Sequence, residues 1–430
     1  MSMFKTVRGM RDFLPKDAEN LRYVEQVTRE LADLYGYEEI LTPIVESHEL
    51  LAAKSGEEIR QRMYVFKDLG GRKVALRPEF TASVARLVAT KLRNAPKPLK
   101  LFSVGSLYRY DEPQYGRFRE FWQANYELMG SEKPEADAEI LTVTNHLLKK
   151  LGLRNYYIKI GHVGILRGIL SQEDIVEQQQ NHVMQMLDKK SWDEALTTIK
   201  QLGASQQCLT TLKKVFETRG KATFGILKKT EKTVQKYESA VAAVQNLRQI
   251  LTLATTGNKF ETLIEPGFAR GLEYYTGIIF EAYVPELEIA LGGGGRYDKL
   301  IEQFGGEPTP AVGVAPGIDR IVLAMKKQKN QFRIRTENRA VVIPVNAEMK
   351  IKAFEISSML REVMIPTELE VTGRTVSKAL SDADRREITY AVLVGPEELA
   401  EGKVVLRNLI TRKQKTVEIT ELVKKLKATK

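Results

Sequence analysis

Cysteine is nearly absent. Cys208 stands alone among 430 residues, which excludes an intramolecular disulfide framework and a zinc site built on several thiolates. That usage points to a reducing, intracellular setting, and Cys208 reads as a small buried hydrophobe rather than a nucleophile. Histidine is scarce too. His48, His146, His162 and His182 are scattered, and neither HExxH nor another local ligand spacing occurs. No Ser/His/Asp or Cys/His arrangement for nucleophilic catalysis stands out. No apolar run approaches the length of a membrane span. The opening MSMFKTVRGMRDFLP lacks the apolar centre of a secretory signal. The expectation is a cytoplasmic chain with no membrane partner and no dedicated metal cage. Acidic residues run short against basic ones, 55 to 66, for a formal net charge of +11. That imbalance favours a polyanionic partner.

What is present fits a soluble globular chain, with 43% apolar and 28% charged residues. Its length suits two to four domains. Residues 17–35 carry Leu21, Val24, Val27, Leu31 and Leu34 at helical spacing, closed by Gly36. YEEILTPIVE (37–46) is extended, and Pro43 within it fits an edge or an interface. Residues 63–69 and 72–77 read as strands around Gly70-Gly71. Thr81 then opens a helix carrying Val84, Leu87, Val88 and Leu92, so Glu79 sits at a strand-to-helix junction. There it either points into a cleft or is a solvated first-turn acid favoured by the helix dipole.

Residues 100–110 and the stretch ending near 129 read as strands, 136–151 as a helix and 155–161 as a strand. From 162 to 250 the chain is helix-rich and lysine-studded, which predicts an inserted helical domain. Its lysines are solvated faces or, in a sharper reading, phosphate contacts. Sheet character returns over 260–304. Residues 267–284 suggest a turn and a long strand, and Gly292–Gly295 a close backbone approach or a hairpin turn. Residues 310–324 predict a glycine-rich strand and an apolar helix, with Arg320 in its early turns. A basic linker (326–338) follows, then a compact α/β domain over 339–430 with a mixed sheet.

Between the two strands near 108 and 127 lies YRYDEPQYGRFREFWQANYE. It sets Arg109, Arg117 and Arg119 among aromatics, with Pro113 and Gly116 in the middle. Such a loop can hold guanidinium groups against an anion while an aromatic stacks on a base. The bland alternative is a solvated hairpin.

Together these pieces resemble the class II aminoacyl-tRNA synthetases, and within them the histidyl-tRNA synthetase family. YEEILTPIVE resembles motif 1, the stretch Tyr108–Glu127 motif 2, and PAVGVAPGIDRIVL motif 3. RGLEYYTGIIFE (270–281) and GGGGRYDKL (292–300) resemble the two peptides peculiar to histidyl enzymes. VGPEELAEGKVVLRN (394–408) resembles the anticodon-binding domain of the subgroup.

The resemblance implies an α+β fold: an antiparallel sheet flanked by helices, in two parts (1–161 and 251–325), with the helical insertion at 162–250. It implies a C-terminal α/β anticodon-binding domain at 339–430, and a homodimer built through motif 1. It also implies histidine, ATP and the cognate histidine tRNA as partners, with Mg²⁺ carried on the ATP phosphates.

By the same resemblance, Arg109 and Arg270 are the catalytic pair at the α-phosphate, Arg270 standing where many relatives rely on a metal ion. Arg117 would hold the outer phosphates. Phe121 and Arg320 would sandwich the adenine, with Asp111 beside it. Glu79, Thr81 and Gln123 would accept the α-ammonium of histidine, and Glu127 and Tyr275 would partner its ring nitrogens. Tyr274 and Arg270 would complete that pocket. Such polar partners reject analogues that leave them unpaired, so no editing domain is needed. Arg119 and Arg296 are further expected members. For Tyr297 and the glycine run, direct contact and backbone shape are both open.

Two departures stand out. The family commonly has Glu at position 111 and Arg at 112, and here they are Asp111 and Glu112. Phe80 replaces a commonly small residue. Two alternatives share the fold without the activity: a regulatory subunit of histidine biosynthesis and a tRNA-sensing module. Retention of Arg109, Arg270 and Arg320 opposes both, and the C-terminal domain opposes the first.

Overall fold

The computed structural model describes residues 4–53, 56–221, 223–257, 260–270, 273–332 and 339–427. Gly271 and Leu272 of the first histidyl-type peptide, and residues 333–338 of the expected linker, lie outside that description. The chain forms two compact units, 1–332 and 333–430.

The first unit opens on the helix Pro15–Tyr35. Its Leu21, Val24, Val27 and Leu31 are buried, as their spacing requires, while Leu34 faces outward at 65% exposed. Gly36 closes the helix with φ 73°, its N–H bonding the carbonyls of Ala32 and Asp33.

The strands in order are β1 (Glu38–Glu39), β2 (Val45–Ser47), β3 (Val65–Lys67), β4 (Lys73–Leu76), β5 (Leu99–Tyr108), β6 (Glu120–Met129), β7 (Tyr157–His162), β8 (Glu261–Ile264), β9 (Ile278–Tyr283), β10 (Gly292–Arg296) and β11 (Ala311–Pro316). Strands β2, β4 and β3 make a small antiparallel sheet. The other eight make one large sheet in the order β1-β5-β6-β11-β10-β9-β7-β8. Its centre is antiparallel, and its two edge strands pair parallel. Strands β5 and β6 form its longest ladder, from Leu99↔Met129 to Tyr108↔Glu120.

Side chains alternate across this sheet. Neighbours Leu101 and Phe102 on β5 belong to different apolar clusters. One cluster lies with helix Thr81–Thr90. The other takes in helices Pro15–Tyr35 and Pro134–Lys150 and the helical region after β7.

The helical region comprises Val163–Gln172, Glu177–Asp188, Trp192–Gln201, Gln206–Glu217, Thr223–Thr233 and Glu238–Thr255. The last of these runs past residue 250. Leu166, Leu212, Leu247 and Ile250 share one core with Ile158 and Phe280 of the sheet.

Three local expectations change. The run Gly292–Gly295 is a strand of the central sheet, not a turn. Of the turn and long strand expected over 267–284, the strand begins only at Ile278. Lys326 and Lys327 end the helix Ile318–Lys327, where the dipole favours cations, rather than starting a linker.

The second unit holds β12 (Ala340–Pro344), β13 (Thr367–Leu369), β14 (Tyr390–Val394), β15 (Lys403–Asn408) and β16 (Gln414–Glu418). The sheet order is β13-β12-β14-β15-β16, parallel in the first three strands and antiparallel thereafter. This is the expected mixed sheet, covered by helices Lys350–Glu362, Val376–Arg385 and Ile419–Lys427. A short helix, Pro396–Ala400, was not foreseen.

Candidate active site

The junction after β4 is held by one buried arginine. The guanidinium of Arg77 donates to the carbonyls of Thr42 at 2.7 Å and Ser106 at 3.2 Å. It lies 4.4 Å from the ring centroid of Phe80. The unusual phenylalanine is thus a platform for Arg77. With the junction fixed, Glu79 and the first helical residue, Thr81, face a cleft over the sheet.

Asn125 and Glu127 sit two apart on β6 and so share a face. Glu127 is 1% exposed. It accepts hydrogen bonds from Thr81 Oγ1 at 2.8 Å, Asn125 Nδ2 at 2.7 Å and the Tyr297 hydroxyl. Burial pushes its pKa up to about 7, and the three hydrogen bonds pull against that rise. Glu79 accepts from the Tyr274 hydroxyl at 3.2 Å. Burial raises its pKa as well, opposed by Arg109 and Arg270. Burial likewise pushes the Tyr275 phenol up to about 12.

The cations line the same cleft. Arg109 donates from Nε to the Pro78 carbonyl at 2.9 Å, and its guanidinium lies 5.2 Å from the Phe121 ring centroid. Arg320, in the first turn of its helix, donates to the Ala290 carbonyl at 2.9 Å and the Gly116 carbonyl at 3.3 Å. Burial, reinforced by Arg109 and Arg117, lowers its pKa to about 10. Arg270 lies 3.6 Å from Glu281 on β9, with its guanidinium 5.9 Å from the Tyr275 ring centroid. Arg117, Gln123 and Asp111 complete the wall. Gln123 Nε2 donates to the Ala315 carbonyl at 3.2 Å.

Every side chain expected at the catalytic, ATP and histidine positions therefore meets in one cleft. Arg119 and Arg296 do not. Arg119 is buried beneath the loop, bonded to the Asp111 carbonyl at 3.1 Å and stacked 3.7 Å from the Tyr110 ring centroid. Arg296 is held by Asp137 and Asp298, each at 2.9 Å. Both are framework ion-pair or stacking residues rather than lining.

The acidic departures are matched locally: Asp111 pairs with Arg62 at 3.0 Å and Glu112 with Arg8 at 2.8 Å. Sequence reasoning missed Asn125, Glu281 and Asp319. Asp319 accepts the Trp122 N–H at 2.6 Å and pairs with Arg11 at 2.5 Å, tying β6 to the helix that carries Arg320. Asn125 was findable from its two-residue offset to Glu127.

A profile of histidyl-tRNA synthetase matches residues 9–321, and one of the anticodon binding domain matches 339–429. The chain is 41% identical to a histidine–tRNA ligase of Methanocaldococcus jannaschii over 98% of this chain and 99% of that one. It is 39% identical to a histidine–tRNA ligase of Saccharolobus solfataricus over the full length of both. Among solved structures, apo histidyl-tRNA synthetase of S. aureus superposes with a TM-score of 0.70 at 26% identity, covering 99% of this chain and 100% of that one. Histidyl-tRNA synthetase of Nostoc sp. PCC 7120 shares the fold, with a TM-score of 0.80 at 22% identity over the full length of both. From end to end, in sequence and in fold, the chain belongs to the histidyl-tRNA synthetase family.

Proposed function

We propose that this chain activates histidine with ATP and transfers the product to the 3′ end of its tRNA. The observation that carries the reading is the single cleft joining Arg109, Arg117, Arg270 and Arg320 to the buried carboxylates Glu79 and Glu127. Cations suit a triphosphate, and buried acceptors suit an ammonium and an imidazole N–H.

In the first step a carboxylate oxygen of histidine forms a bond to the α-phosphorus of ATP, and the bond from that phosphorus to the bridging oxygen breaks. Histidyl-adenylate and pyrophosphate result. Two anions must approach, so charge at the phosphorus and a fixed line of attack govern the rate. Arg109 and Arg270 supply that charge, Arg117 holds the outer phosphates, and Phe121 and Arg320 take the adenine. Asp111, engaged by Arg62, borders the base. In the second step a ribose hydroxyl attacks the aminoacyl carbonyl and AMP leaves.

Glu79, Thr81 and Gln123 receive the α-ammonium. Glu127 and Tyr275 select the imidazole, with Tyr274 holding Glu79. Glu127 already takes three donors, which aligns it before histidine arrives. Mg²⁺ enters as part of the nucleotide, carried on its phosphate oxygens.

Exposed Leu41, Ile44 and Val45, at 84%, 44% and 44%, support a homodimer through the motif 1 segment. Among the described residues no helix is long and apolar enough to cross a membrane, and the single cysteine suits a reducing setting such as the cytoplasm. The retained arginines and the full-length ligase relatives favour catalysis over a regulatory or sensing role.

ATP–pyrophosphate exchange with each amino acid in turn tests the proposal. Exchange should depend on histidine alone. Exchange driven by another amino acid would refute the assignment, and none at all would favour the regulatory alternative.

A further inference from the structure

Behind Arg270 the sheet carries a row of charge that the reaction scheme does not use. Gly293 on β10 pairs with Glu281 on β9, and Glu281 pairs with Lys159 on β7. A Cβ at Gly293 would strike Arg270 Nη1 and lie 3.1 Å from Glu281 Cγ. Arg270, Glu281 and Lys159 therefore stand side by side over adjacent strands. The Glu281 carboxylate lies 3.6 Å from Arg270 through Oε1 and 3.3 Å from Lys159 Nζ through Oε2. The Tyr283 hydroxyl donates to Oε2 at 2.5 Å. Lys159 is itself held, 3.7 Å from the Phe268 ring centroid and 4.0 Å from Glu265.

The arrangement decides how much of the Arg270 charge reaches the cleft. A carboxylate with one cationic neighbour closes onto it as a bidentate pair, and the two charges cancel. Here the second carboxylate oxygen is already occupied by Lys159 and Tyr283. Arg270 keeps a long, single contact, so its charge is not cancelled in a bidentate pair. Burial raises the Glu281 pKa, but Arg270 and Lys159 outweigh it, so Glu281 stays ionised between them.

We propose that Lys159 is a positioning residue for adenylation: by sharing Glu281, it keeps Arg270 directed at the reacting phosphate. This rests on the place given to Arg270 above. The competing role for Lys159 is an ordinary cross-strand ion pair that only stabilises the sheet.

The test is histidine-dependent ATP–pyrophosphate exchange on the full chain, with melting temperature followed in parallel. Lys159→Gln should lower kcat by roughly tenfold or more, in the range a misplaced contacting group costs. KM for histidine should move far less. Lys159→Arg should restore most of the rate. Adding Glu281→Gln to Lys159→Gln should recover much of the loss, because it removes the carboxylate that captures Arg270. A purely structural pair would not show that suppression. Wild-type exchange in Lys159→Gln, or a double variant as slow as the single one, overturns the proposal. If Lys159→Gln does not fold, Glu281→Gln with and without Lys159→Gln should exchange alike, and a gap of about tenfold between them overturns it. Arg270→Ala separates the levels. Near-normal exchange there removes Arg270 from the reaction itself, whereas a collapse with histidine binding retained leaves only the Lys159 step in question.

Discussion

Glu127 shows how one buried residue couples specificity to stability. Its carboxyl is enclosed on β6, and burial lifts its pKa from 4.5 to about 7 against three hydrogen-bond donors. Between those values the folded chain keeps a proton that the unfolded chain has lost. Stability from this group therefore falls as pH rises through that window, and levels off above about 7. The full effect is roughly 3 kcal/mol. Glu127→Gln abolishes the titration. The apparent melting temperature of the wild type, relative to that variant, should fall as buffer pH is raised from about 5 to about 8. A difference that stays constant with pH would show that Glu127 is ionised in the empty site. Position 127 was legible in the sequence as part of a motif. Its proton affinity was not, because that is set first by burial and then by partners as distant as Tyr297, 170 residues away.

Among the elements, β10 is the most informative. A run of four glycines has poor strand propensity, since glycine loses the most backbone freedom and packs nothing. It is a strand here because neighbours crowd both its faces. The crowding differs by position, and so should the consequences. A Cβ at Gly293 strikes the tip of the flexible Arg270 side chain and lies 3.0 Å from the Phe280 carbonyl, while one at Gly294 strikes the Gly313 carbonyl and lies 2.9 Å from Val314 Cα. Gly293→Ala should lose less melting temperature than Gly294→Ala yet lose most pyrophosphate exchange. Gly294→Ala should be destabilised by about 1–3 kcal/mol, the usual range for overpacking. Thermal denaturation and exchange assays on the pair distinguish them, and equal melting losses would contradict this picture. The β5–β6 ladder is the opposite case. It was readable from the two strands and the Pro/Gly loop between them, because a hairpin is a local event.

At the scale of the whole molecule, the motif 1 segment leaves apolar surface uncovered. β1 lies at the edge of the large sheet, and Leu41 and Ile44 follow it in the open. Val65 and Phe66 of the small sheet are also exposed, at 41% and 43%. The homodimer proposed above would bury this surface. Leu41→Asp combined with Ile44→Asp should shift sedimentation from dimer to monomer and depress exchange with it. A variant that still sediments as the wild type would place the interface elsewhere.

The sequence by itself determined the hairpins, the amphipathic helices and the mixed sheet of the second unit, and its motif resemblance picked out most of the cleft residues. These rest on periodicity, turn chemistry and motif order, which are properties of neighbouring residues. Tertiary structure alone decided that the glycine run is a strand, that Arg119 and Arg296 are committed to the framework, and that Asp111 and Glu112 are paired by Arg62 and Arg8. It alone set Lys159 and Glu281 beside Arg270. Each of those outcomes depends on which strand lies next to which. Strand order joins β6 to β11 and β7 to β9 across long stretches of chain, and a local pattern carries no record of that pairing.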